Sequence, residues 1–298
     1  MESKKVFFII NKFSGTGYSD SLEGVILKYC QSLGLEATIQ FTQAPGHATT
    51  LAKEASLDGF PLVFAMGGDG TVNEVACGLA GTATTMGVLP KGSGNGLARH
   101  LGISMDIRKS LPVIAHGRTI QMDTILINGH LSVNVSGIGF DGHVAALFGK
   151  DGRRGLLGYG TLAAREFFKY KEIHASGHID EESIRRSAFI IAIANSSQFG
   201  NNATIAPHAS VSDGQIELCF IRKVPILQSP GFVARMFTQQ LHTSAFVSIV
   251  RGSKALLEFD QPAAFHIDGE SKPPASRFEI EMLPGRLRLL IPPGHRAV

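Results

Sequence analysis

Two glycine-rich segments hold the residues of this chain best suited to chemistry: Gly67-Gly68-Asp69-Gly70-Thr71-Val72-Asn73-Glu74 and Pro90-Lys91-Gly92-Ser93-Gly94-Asn95. Each follows a short apolar run, Leu62–Met66 or Met86–Leu89, and each opens a helical pattern, Val72–Leu79 or Leu97–Leu101. A glycine turn between a strand and a helix points backbone N–H groups and the positive end of the helix at one spot, which suits phosphate. Asp69 is the exception, because a carboxylate repels phosphate. It fits if it holds Mg²⁺ through water or takes a proton from a substrate hydroxyl; the plainer reading is a helix cap. Ser93 could donate to phosphate or ribose, and Lys91 could neutralise charge. The Walker A spacing and the protein-kinase motif set are both absent.

Asp268 and Glu270 form a second constellation. Phosphoryl transfer needs positioned phosphates, Mg²⁺ and an acceptor hydroxyl held in line by a carboxylate. Two acids two residues apart at a strand end point to the same side. Glu270 is the first choice for the base and Asp268 the second; a tight turn with a solvated glutamate is the plainer alternative. Ser212-Asp213-Gly214 likewise has the residue types of a hairpin turn.

The elements that must place these groups follow from the apolar pattern. Val6–Ile10 reads as a strand running into Asn11–Gly17, and Leu22, Val25, Ile26, Tyr29 and Leu33 lie at helical spacing. Leu35–Phe41 is a strand, Thr42–Gly46 a turn and Ala48–Ala55 a helix. Strands alternating with helices imply a parallel sheet covered on both faces, with ligands at the carboxyl ends of the strands. Beyond Asp123 strands predominate: Gln121–Ile127, His130–Ser136, Ala188–Ala194, Gln215–Ile221, Ala255–Phe259, Ala263–Ile267, Phe278–Met282 and Arg286–Ile291. Turn residues separate them, including Asn128-Gly129 and Leu283-Pro284-Gly285. Helical interruptions fall at Gly142–Tyr170 and Leu227–Thr238. The expected fold is an α/β N-terminal domain (residues 1–122) and a mostly antiparallel β-sandwich (123–285), with 286–298 able to return to the first domain.

Composition sets the outer limits. The 298 residues are 44% hydrophobic and 18% charged, a globular balance, and a formal charge of +3 is too small to argue for nucleic acid. Cys30, Cys77 and Cys219 lack metal-like spacing and read as small core residues in a reducing cytosol. No apolar run has the length of a secretory core or a membrane span.

The stretch GGDGTVNEV followed by PKGSGNGLARHLGI resembles the catalytic domain of diacylglycerol kinases, shared with sphingosine and ceramide kinases and bacterial lipid kinases. Asn11–Gly15, Thr42 with Gly46-His47-Ala48, Asp123, Gly137–Gly142, Asn195, Ala206-Pro207, Ser212–Gly214 and His266–Glu270 extend the match. The resemblance implies a two-domain lipid kinase with a nucleotide domain like that of NAD kinases and phosphofructokinases, and a β-sandwich that completes the cleft. ATP would be contacted by Asn11, Thr42, Gly67, Gly68, Asp69, Gly70, Thr71, Asn73 and Ser93. Ser14, Gly15, Glu74, Gly92 and Asn95 share those loops and are grouped with them. Asp213, with main-chain oxygens near Ser210 and Gln215, looks like a structural Mg²⁺ site. Asp268 or Glu270 would be the base in bacterial members, and the acid matching Asp69 in sphingosine kinases. Lys12 and Thr16 stand where bacterial diacylglycerol kinases tend to have proline and lysine, and GSGNG is closer to the sphingosine and ceramide kinase form.

The implied activity is transfer of the ATP γ-phosphate to a lipid hydroxyl, by a cytoplasmic protein that visits a membrane surface. Nucleic acid is not an expected partner, and a homodimer is left open. Phosphorylation of NAD and a non-catalytic regulator are the alternatives. Ala145–Phe148 and Leu156–Phe168, flanking Lys150–Gly155, could form a lid on lipid or an ordinary amphipathic helix. The stripes Val224–Leu227 and Phe232–Phe237 are read as core.

Overall fold

The computed structural model describes residues 4–15, 19, 21–148 and 155–294. Two compact units divide the chain: Met1–Asp123 with Pro284–Ala297, and Thr124–Leu283.

In the first unit β1 (Lys4–Ile10), α1 (Ser21–Ser32), β2 (Leu35–Phe41), α2 (His47–Leu57), β3 (Leu62–Gly67), α3 (Asp69–Leu79) and β4 (Thr85–Pro90) alternate, followed by the short helices α4 (Gly96–His100), α5 (Ile107–Ser110) and α6 (Val113–His116). Every pairing among these strands is parallel: β1 lies between β2 and β3, and β3 pairs with β4. The other edge of β4 takes the end of the chain, through Arg288–Thr85 and Leu289–Met86. Strands covered on both faces need apolar residues at successive positions, and Val6 to Ile10 are buried without a break. On one face Val6, Phe8 and Ile10 share a core with Ile26 and Cys30 of α1 and with Leu111 and Val113. Phe8 and Phe64 stack there at 5.1 Å between centroids. From β1 the chain winds to β2 on one side and later to β3 on the other. The winding therefore reverses between β1 and β3, where an open sheet leaves a crevice at its carboxyl edge.

The second unit contains β5 (Arg118–Ile127), which begins in the first, then β6 (His130–Ser132), β7 (Val135–Gly139), α7 (Phe140–Leu147), α8 (Gly155–Phe167), β8 (Ile173–Ile179), β9 (Glu182–Ala188) and β10 (Ile190–Ala194). There follow β11 (Gln198–Gly200), β12 (Ala203–Thr204), β13 (Ile216–Ile221), α9 (Ser229–Phe237), β14 (Val247–Gly252), β15 (Lys254–Ile267) and β16 (Glu270–Ile291). β14, β13, β10, β7, β15 and β16 pair antiparallel in that order, and the β8–β9 hairpin adds to the first half of β15. Ile138, Ile191, Ile193, Leu218, Leu257, Phe265 and Phe278 fill the core between the layers.

The structure departs from the sequence expectations in three places. β8, β9 and β14 were not anticipated: β9 reads ESIRRSA, and a polar hairpin arm owes its strand geometry to its partner. Leu283-Pro284-Gly285 does not end a strand; Gly285 takes φ +59° within β16, and Asp123 Oδ1 accepts its N–H at 2.7 Å. The stripes read as core divide. Val224 is buried and Phe232 and Met236 pack inward, but Ile226, Leu227, Val233 and Phe237 are 57%, 92%, 47% and 50% exposed. Helical spacing shows that a helix has an apolar face, not that each such face is covered. The basic loop Lys150–Arg154 of the expected lid lies outside the described residues, as does Thr16. After α8, Phe168 is 70% exposed, while Phe167 and Tyr170 pack edge-on against Phe140. No helix among the described residues is long and apolar enough to cross a membrane.

Candidate active site

Three loops meet at the carboxyl ends of β1, β3 and β4. Asn11 N–H donates to Met66 O, and the N–H groups of Lys91 and Gly92 both donate to Gly67 O, at 2.8 and 3.1 Å. Backbone this close leaves no room for side chains. A Cβ on Gly15, whose φ is +70°, would lie 1.9 Å from Lys91 O, and one on Gly92 would lie 2.6 Å from Gly68 Cα. Lys91 Nζ donates to Ser14 O, and burial lowers the pKa of its amine. It ties the first loop to the third. Asn11 Nδ2 reaches Thr71 Oγ1 at 3.1 Å, joining the first loop to α3.

Asp69 is a cap, but for a different helix from its own. Its Oδ2 accepts the N–H of Asn95 and its Oδ1 that of Gly96, both at 2.8 Å, so it closes the start of α4. Gly94 is confined by the same carboxylate, since a Cβ there would sit 2.8 Å from Asp69 Oδ2. Asn95, in the left-handed conformation and 2% exposed, folds its amide back onto Gly92 N and O. Glu74 does for α2 what Asp69 does for α4: its two oxygens accept Gly46 N–H at 2.8 Å and Ala48 N–H at 3.1 Å. Thr42, whose N–H donates to Ile10 O, begins the turn held this way. Ser93 is exposed at the tip of its loop, and Gly68, Gly70 and Asn73 are half-buried along the opening of α3. Carboxylates that grip N–H groups in rigid pairs fix where the remaining backbone donors of the two loops point.

Gly68 separates packing from ligand approach. A Cβ there meets Gly92 Cα at 3.6 Å and Ser14 Oγ at 3.9 Å, ordinary contacts. Gly68→Ala should therefore leave the melting temperature unchanged and weaken nucleotide binding, by about tenfold or more if a phosphate rests on that backbone. Gly92→Ala should lower both, with a stability loss of about 1–3 kcal/mol from forced separation of the loops. Melting curves and nucleotide titrations of the two variants check this; equal behaviour of both would contradict it.

The late acids belong to the second unit and have different surroundings. Asp268 and Gly269 both take positive φ, +47° and +92°, forming a tight two-residue turn between paired Ile267 and Glu270. Asp268 is only 4% exposed. Ser132 Oγ at 2.6 Å and Asn134 N–H at 3.1 Å donate to its Oδ1, and Val133 N–H at 2.8 Å to its Oδ2. Its own N–H donates to Ser136 Oγ. Glu270 is exposed, and its side chain makes no hydrogen bond or ion pair with the described residues. Behind the turn His266 Nδ1 accepts Gly269 N–H at 3.0 Å, which leaves Nε2 to donate to Asp141 Oδ2 at 3.3 Å. Gly137 must be glycine here, as its Cβ would fall 1.8 Å from Asp141 Oδ2.

Asp213 forms an Asx turn, with Oδ1 accepting Gln215 N–H at 3.0 Å, and Ser210 Oγ accepts Ser212 N–H at 3.3 Å. Oxygen donors of this kind suit a hard cation, and the turn uses one carboxylate oxygen only. No cluster of three or more His, Cys, Asp or Glu at metal spacing occurs among the described residues. Asp123, 3% exposed, holds Gly285. Sequence reasoning missed Ser132, Ser136, Asp141 and the His266 ring as partners of the late turn. Asp141 and His266 were inside quoted motifs, and the signal available was that both are polar residues in otherwise apolar or glycine runs.

Comparison with known proteins finds two family models in succession along the chain. Residues 5–127 match the model of the diacylglycerol kinase catalytic domain, and residues 132–291 that of the YegS C-terminal NAD kinase beta sandwich-like domain. The diacylglycerol kinase of Bacillus subtilis (strain 168) is 27% identical over 280 residues, 90% of each chain. The Salmonella dublin protein named "Probable lipid kinase YegS" is 28% identical over 278 residues, covering 87% of this chain and 88% of that one. A crystal structure of a diacylglycerol kinase from Bacillus anthracis str. Sterne superposes with a TM-score of 0.78 at 20% identity over 99% of this chain and 100% of that one, which speaks for the fold.

Proposed function

Because this chain belongs to the lipid kinase family that joins a diacylglycerol kinase catalytic domain to a YegS-type C-terminal sandwich, we propose that it transfers the γ-phosphate of ATP to a lipid hydroxyl with the help of Mg²⁺. The observation that carries the nucleotide half is the clamp of Asp69 on Asn95 and Gly96, which makes one rigid cradle of two glycine loops. Gly68, with no packing reason to be glycine, supports close approach of a phosphate to that backbone. The first-turn N–H groups of α3 and the dipole behind them favour the anion. Thr71 and Asn11 are held together beside it.

Mg²⁺, when bound, would neutralise charge on the phosphates and fix their geometry. Asp69 supplies hard oxygen donors able to meet it through water, and the turn at Asp213 would hold a separate, structural Mg²⁺. Asp69 orders backbone donors around the phosphates. Glu270, exposed and unengaged at a rigid turn, accepts the proton of the acceptor hydroxyl. Asp268 holds that turn in place through Ser132, Val133 and Asn134.

One assay tests the reading: purified protein, labelled ATP and Mg²⁺ with diacylglycerol, sphingosine, ceramide, phosphatidylglycerol or NAD. Label is expected in one of the lipids. NAD belongs in the panel because the second unit matches an NAD kinase-like sandwich. Label in NADP alone would replace the lipid acceptor, and no transfer to any compound would favour a regulator that binds without catalysing.

A further inference from the structure

The exposed apolar face around α9 has a chemistry that names its partner. Residues Ile226–Gln228 form a single 3₁₀ turn that runs directly into α9. Along the two, Ile226, Pro230, Val233 and Phe237 recur at helical spacing, with Leu227 and Ala234 beside them, and all six are exposed. The opposite side of the helix seats Phe232 and Met236 on the sheet. A surface helix normally hides its apolar side and shows a polar one; this one is apolar on both.

Charge along the stretch of chain that carries the stripe is of one sign. No Asp or Glu occurs anywhere from Arg222 to Leu257, while Arg222, Lys223 and Arg235 flank the stripe. Their partners are neutral: Arg222 Nη2 donates to Ala245 O, Arg235 Nη1 to Thr243 Oγ1 and Lys223 Nζ to Tyr170 O. Glu172 accepts the main-chain N–H of Lys223, and no carboxylate pairs with the three cationic heads among the described residues. Arg251 and Lys254, further along the same stretch, are paired, with Glu217 and Glu281.

The geometry points to the 226–237 segment as the surface by which this protein sits on an anionic phospholipid bilayer. This rests on the lipid acceptor proposed above and adds where the membrane is met. An amphipathic helix bearing exposed Leu and Phe with basic residues at its flanks lies in the headgroup plane, its apolar side in the acyl boundary and its cations on the lipid phosphates. A second copy fits less well, because a two-fold contact would bring the same unneutralised arginines against each other.

The chain contains no tryptophan, so Leu227→Trp introduces a lone indole that reports on this face. On adding vesicles of phosphatidylglycerol mixed with phosphatidylcholine its emission should shift to the blue and be quenched by brominated lipid. Leu57→Trp, placed on an exposed site of α2, should do neither. Arg222→Gln with Arg235→Gln should lower the vesicle partition constant about tenfold, and Leu227→Ser with Phe237→Ser by at least about as much. Both pairs should keep turnover on a dispersed short-chain diacylglycerol and lose it on the same acceptor embedded in vesicles. Absence of the shift at 227, an equal shift at 57, or unchanged partitioning of both pairs overturns the proposal. A shift produced by raising protein concentration without lipid would assign the face to a second copy instead. Failure of the unmodified protein to phosphorylate either form of acceptor would sink the kinase reading while the fluorescence result stood by itself.

Discussion

Asp69→Asn is expected to lower kcat/KM for ATP by at least about 100-fold, equivalent to about 2.7 kcal/mol of transition-state stabilisation. The carboxylate presents two acceptors to two N–H groups, Asn95 and Gly96. An amide offers one acceptor and turns an N–H₂ on the other donor. A hydrogen bond to a charged group contributes about 1.5–3 kcal/mol, and an unmet donor costs a similar amount. The Lys91–Asn95 loop should then leave its position over the Asp69 loop. Nucleotide affinity and turnover should fall together, because the donors that bind the ground state are the ones displaced. Titration of nucleotide alongside steady-state kinetics decides the matter. Collapse of kcat with intact affinity would mean that Asp69 acts on the hydroxyl or the metal rather than as the clamp.

The two late acids should separate in the same pair of measurements. Glu270→Gln is expected to reduce turnover by about 100- to 10,000-fold, the range for a general base. It should leave stability within about 0.5 kcal/mol, as for an exposed side chain without partners. Asp268→Asn should cost about 2–4 kcal/mol, because its amide would face Ser132 Oγ or the N–H groups of Val133 and Asn134 inside a closed pocket. A unit of this size should then melt roughly 5–12 °C lower, with turnover reduced as the Glu270 turn loosens. Thermal melts and kcat on both variants are sufficient. Near-normal turnover of Glu270→Gln would transfer the base assignment to Asp268.

What was legible in the sequence was local. A glycine loop between an apolar run and a helix pattern declares itself at Gly67 and again at Gly92, because a few adjacent residues fix the backbone there. Asn128-Gly129 reads as a hairpin turn for the same reason, and its φ values of +47° and +79° are those the turn demands. The function of a polar side chain in such a loop is set elsewhere in the chain. Asp69 grips groups 26 and 27 residues later, and Asp268 is enclosed by residues 134 to 136 positions earlier. No window around either acid contains that information, so a cap and a buried strut look like bare carboxylates. α9 shows the converse limit: its periodicity is plain, but which apolar face meets the sheet depends on a partner absent from its own segment.

The passage of β16 from one unit into the other has a consequence for biosynthesis. Thr85 and Met86 of β4 wait for Arg288 and Leu289, which are made about two hundred residues later. Until then the N-terminal sheet, though most of its sequence emerges first, keeps an unpaired apolar edge of the kind that recruits other nascent strands. Its completion is a long-range closure made only after the sandwich has been synthesised. A ribosome that stalls just before Arg288 therefore leaves the sandwich strands translated and the nucleotide half still open.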